Sequence, residues 1–100
     1  MESDCILRLL ITGRVQGVGF RAFVARRASA RGLGGWVRNR RDGAVEAVIA
    51  GSQAAVAAMV SEIEAGPPAS RVDSIERQVE TPAPEERIRL AQGFAILPTA

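Results

Sequence analysis

The 100-residue chain contains no histidine, and that absence removes more chemistry than any residue present supplies. Histidine general acids and bases, nucleophile–histidine pairs and histidine-ligated metals are all excluded. Tyrosine and lysine are missing too, so all 13 basic residues are arginine. The single cysteine, Cys5, can make neither an intrachain disulfide nor a thiolate metal site. At the head of an apolar run it reads as a small buried hydrophobe. No apolar stretch approaches membrane-spanning length, since the longest, Cys5–Ile11, is interrupted by Arg8. The opening MESDC is acidic and lacks the basic-then-apolar plan of a secretory signal, so a soluble, cytoplasmic protein is expected. Aromatic residues are scarce: Trp36 and three phenylalanines. The three phenylalanines fit core positions, so the exposed rings that would stack on bases are lacking, which argues against nucleic acid as a partner.

What is present suffices for one small domain spanning residues 1–100. Hydrophobic residues make up 47% of the chain and charged residues 24%, enough apolar material for a core. The net charge of +2 is unevenly spread, with nine arginines against four acids in residues 1–50 and four against seven in residues 51–100. An anion-facing first half is compatible with that split, although an unpatterned bias is more often solvated surface.

Periodicity divides the chain into elements. Leu7, Leu9 and Ile11 alternate with Arg8, Leu10 and Thr12 as in a strand. From Phe20 the period changes, and Phe23, Val24 and Ala28 join it on one helical stripe that Gly32, Gly34 and Gly35 end. WVRNR and AVEAVIAG flank the turn pair Asp42-Gly43, a strong hairpin signal. Ser52 is placed to cap a second helix carrying Val56, Met59, Val60 and Ile63, which Gly66-Pro67-Pro68 stops. A strand near residues 72–79, a TPAPEER loop and a short GFAIL strand complete the chain. The order β-α-β-β-α-β, with a possible extra strand, predicts an α+β, ferredoxin-like split β-α-β fold. Its sheet is expected to be antiparallel, four- to five-stranded, with two helices on one face.

The first connection, ITGRVQGVGFRAF, places Gly13, Gly17 and Gly19 within seven residues and then Arg21 where the helix begins. Glycines let successive main-chain N–H groups turn inward as a nest for an anion, and a helix N-terminus adds unpaired donors to it. A cation in a first helical turn is misplaced unless something negative lies between it and the loop. From the glycines alone, however, a plain strand-to-helix turn is as good a reading as a phosphate cradle. The loop is neither a Walker A nor a dinucleotide motif. A second clue is Asn39, on the opposite strand face from Arg38 and Arg40. Asparagine is disfavoured in strands, and its amide offers a donor and an acceptor suited to holding a water. Proximity to a hairpin turn would also account for it. Asp42 and Glu46 are possible general bases, but they read rather as surface charges of that hairpin.

GRVQGVGFR followed by GWVRNRRDGAVE resembles the two signature blocks of the acylphosphatase family. The likeness extends to the Asp-Gly hairpin, the GPP after the second helix and the last strand. Arg31 and the stretch from Gln78 to Gln92 depart from it. The resemblance implies hydrolysis of acyl phosphates to a carboxylate and inorganic phosphate. Arg21 matches the family's catalytic arginine, and with the amides of Val15, Gln16, Gly17, Val18, Gly19 and Phe20 would hold the phosphate. Asn39 matches the asparagine that orients the attacking water. It also implies no metal, no organic cofactor and a cytoplasmic monomer. A carboxylate leaves readily without a general acid, so the lack of histidine is no obstacle. The alternative is a phosphate-binding or regulatory module of the same fold, similar to the domain that begins hydrogenase-maturation carbamoyltransferases.

Overall fold

The computed structural model describes residues 4–100; Met1–Ser3, part of the acidic start, lie outside the described residues. Its strands are β1 (Asp4–Arg14), β2 (Gly34–Asn39), β3 (Val45–Ser52), β4 (Arg71–Val79) and β5 (Phe94–Ile96). The helices are α1 (Phe20–Ala30), α2 (Gln53–Ala65) and α3 (Pro84–Leu90). One sheet runs in the order β4-β1-β3-β2-β5. The strand period of two sends Leu9, Ile11, Val37, Val45, Ala47 and Ile49 to one face. There they pack with Phe20, Phe23, Val24 and Ala28 of α1 and Val56, Met59, Val60 and Ile63 of α2. The central strand β3 is covered on both faces, which explains its nearly continuous apolar sequence. Ser52 caps α2 as expected, accepting from the Ala55 N–H at 3.2 Å.

Three expectations need correction. TPAPEER is not wholly loop, because Pro84 opens α3, a short helix with Glu85 and Glu86 in its first turn and Arg87 and Arg89 in its last. Those are favourable start and stop charges, but only Leu90 is buried, so no apolar period announced the helix. It lies on the face opposite α1 and α2, where Leu90 packs with Ile6 and Val48. The sheet is also mixed, since the crossing through α3 brings β5 alongside β2 in parallel. Finally, Gly34 and Gly35 do not end α1 but open β2. A Cβ on Gly34 would collide with the Leu90 carbonyl, so this glycine lets α3 settle onto the strand.

Glu46 also differs from its expected surface role, being only 2% exposed. Its carboxylate accepts from Arg38 Nε at 2.8 Å, pairs with Arg8, and has Arg40 Nη1 at 3.7 Å. Arg38 and Arg40 are thereby held on one face of β2, which fixes Asn39 between them on the other. Burial pushes the Glu46 carboxyl up, but the hydrogen bonds and charges of Arg38 and Arg8 outweigh it and leave it below its ordinary value. A depressed carboxyl contributes stability that is present above the unfolded value of 4.5 and is lost as pH falls through the lower folded value. Glu46→Gln should therefore cost about 2 kcal/mol at pH 7, below the full penalty for breaking a buried pair because the arginines are one-third exposed. Denaturant titrations of parent and variant should converge once the pH falls below the lowered folded value of the Glu46 carboxyl.

Candidate active site

Between the end of β1 at Arg14 and the start of α1 at Phe20, apolar side chains pin the glycine loop down. Val15 is 1% and Phe20 2% exposed, and Val18 packs against the same core. Gly17 and Gly19 have φ of +73° and +77°, conformations that other residues rarely adopt. A Cβ on either would meet nothing within 4 Å, so backbone shape rather than crowding demands glycine there. Gly19 is also the N-cap of α1 and supplies no side-chain acceptor, nor does any acid sit in the first turn. Nothing in the helix's own first turn therefore neutralises the positive end of its dipole.

Arg21 enters at that positive end, partly buried. No carboxylate of the described residues pairs with it, whereas Arg8, Arg38 and Arg40 share Glu46, and Arg27 and Arg31 share Glu62. Asn39 ends β2, opposite Val45 in the register, and its carbonyl accepts from the Ala100 N–H at 3.0 Å. Its side-chain Oδ1 is buried and has no hydrogen-bond partner. A buried acceptor left in that state costs about 1–3 kcal/mol.

Arg21 and Asn39 line one hollow of about 270 Å³ together with Val15, Gly17, Gly19 and Phe20. Of the eight residues singled out in the sequence, the structure thus brings six together there. Gln16 and Val18 do not line it: Val18 faces the core, and the Gln16 side chain reaches across to the β2–β3 hairpin. The sequence reading missed Ala22 and Ile96, which also line it. Ala22 adjoins Arg21 in the first helical turn, a signal that was available. Ile96 arrives through the parallel pairing of β5, which no local pattern discloses. Neither Asp nor Glu lines the hollow. Asp42 is exposed at the hairpin tip, where the Ala44 N–H and then Arg40 hold its carboxyl below the usual value. A larger hollow of about 450 Å³ lies between α3 and β5 against Trp36, and lacks a glycine-loop helix N-terminus.

The family model for acylphosphatase matches residues 7–96. An acylphosphatase of Bradyrhizobium diazoefficiens is 53% identical over 98 residues, which is 97% of this chain and 98% of that one. The chain is a member of the acylphosphatase family. An acylphosphatase structure from Bacillus subtilis, 36% identical, superposes with a TM-score of 0.83 over 93% of this chain and 98% of its own. Full-length HypF contains a similar region: at 27% identity and a TM-score of 0.84, it matches 99% of this chain but only 12% of HypF. No group of three or more His, Cys, Asp or Glu among the described residues is arranged to hold a metal. No helix among them is long and apolar enough to cross a membrane.

Proposed function

We propose that Arg21 and the main-chain amides from Val15 to Phe20 hold the phosphate of an acyl phosphate, while Asn39 orients the water that attacks it. The activity itself, hydrolysis of the carboxyl–phosphate bond to a carboxylate and inorganic phosphate, accompanies membership of the acylphosphatase family. One observation supports the assignment of roles: Arg21, which pairs with no carboxylate of the described residues, and Asn39, whose buried amide oxygen has no partner, line the same hollow. Arg21 can grip two phosphate oxygens through its planar fork. Asn39 Oδ1 can accept one O–H of a water, turning the water's lone pair toward phosphorus. The water oxygen forms a bond to phosphorus as the phosphorus–oxygen bond to the acyl group breaks, and the electron pair leaves on the carboxylate. Both water protons pass to phosphate oxygens, giving dihydrogen phosphate, since neither Arg21 nor Asn39 is a base. No carboxylate in the hollow competes for that task. Phosphoryl transfer requires mainly positioning and charge stabilisation, which this residue set supplies.

Benzoyl phosphate with inorganic phosphate as inhibitor tests the reading. Turnover should proceed unchanged in EDTA, and phosphate should compete with substrate. Inhibition by phosphate that is not competitive would separate the anion site from the reaction site and overturn the roles assigned here. We further place the enzyme in the cytoplasm as a monomer. That placement rests on the family to which the chain belongs.

A further inference from the structure

We infer that Gln16 is a positioning residue whose side chain locks the phosphate cradle to the hairpin carrying Asn39. Its Nε2 donates to the Arg40 carbonyl at 2.8 Å and to the Ala44 carbonyl at 2.9 Å. Both partners only accept, so the amide must present its NH2 group to them, and its orientation is fixed by chemistry. The same two carbonyls close the hairpin turn: Arg40 N–H donates to Ala44 at 2.8 Å, and Gly43 N–H to Arg40 at 3.1 Å. Gln16 therefore grips both arms of the hairpin at its narrowest point. Arg40 follows Asn39 directly, and Gln16 lies between Val15 and Gly17, which line the hollow with Asn39.

The two functional segments come from different parts of the chain, and β1 and β2 are not neighbours, because β3 lies between them. Sheet pairing alone sets their separation through two ladders and a loop. The Gln16 amide joins them directly. A phosphate seated in the cradle and a water held by Asn39 must sit within bonding reach of one another, and small misplacement of reacting groups is costly. Gln16 thus acts through its side chain, as the spacer between the two segments. That assignment presupposes the roles proposed for the cradle and Asn39.

Gln16→Met keeps an unbranched side chain of similar length and removes both donors. It is expected to lower kcat for benzoyl phosphate about tenfold while the inhibition constant for phosphate shifts less than about threefold. The same change in an Asn39→Ala background should lower kcat by less than about twofold, since Gln16 acts through Asn39. A kcat within twofold of the parent would overturn the inference, as would equal losses of kcat in both backgrounds. Gln16→Asn, which withdraws the amide by one methylene, takes the place of Gln16→Met if that variant does not fold. An inactive parent would instead sink the roles on which the spacer depends, an outcome distinct from an active parent with an unaffected Gln16 variant.

Discussion

Arg21→Lys should lower kcat/KM for benzoyl phosphate by roughly 10²-fold or more, although the charge is kept. A lysine ammonium is a point charge with no planar pair of donors, so it cannot hold two phosphate oxygens in one plane. Affinity for inorganic phosphate should weaken as well, because Arg21 and the loop amides form one enclosure. Thermal stability should barely change, since the Arg21 guanidinium pairs with no carboxylate of the described residues. Steady-state kinetics together with a melting curve separate these outcomes. Parental kinetics in Arg21→Lys would reject the anchoring role.

Asn39→Ala should reduce kcat by roughly 10²-fold while phosphate still binds within about twofold of its parental affinity. Its effect on stability has the opposite sign from most truncations. Asn39 Oδ1 is buried without a partner, so deleting it removes an unsatisfied acceptor worth about 1–3 kcal/mol. The melting temperature should hold or rise. Activity falling as stability rises would be the mark of a group kept for function at a cost to the fold. A variant that melts early and also loses phosphate affinity would show that Asn39 is structural.

Much of this was legible in the sequence, for identifiable reasons. α2 has a side-chain cap at Ser52, four apolar residues at helical spacing and a glycine stop, so propensity and packing agree. The glycine loop and Arg21 stood out because they break local rules: a cation at the positive end of a helix and backbone angles that only glycine accepts readily. Asn39 stood out as a poor strand former. Glu46 misled because its sequence neighbours are a turn and arginines, the usual company of a surface charge. Its burial follows from the arginines that gather around it on that face, Arg38 across the hairpin and Arg8 from the more distant β1. The parallel placement of β5 was hidden because α3 buries a single side chain and so left no period to read.

The late position of β5 also bears on how the site comes into being. Ile96 stands on the rim, 49% exposed, and Leu97 and Ala100 donate to the carbonyls of Val37 and Asn39. The hollow thus has one wall from the first connection of the chain and another from its final strand. A nascent chain cannot complete the hollow until that second wall has emerged from the ribosome. Assembly of a competent enzyme must wait for the closing strand to dock, whatever the speed of the earlier hairpin and helices.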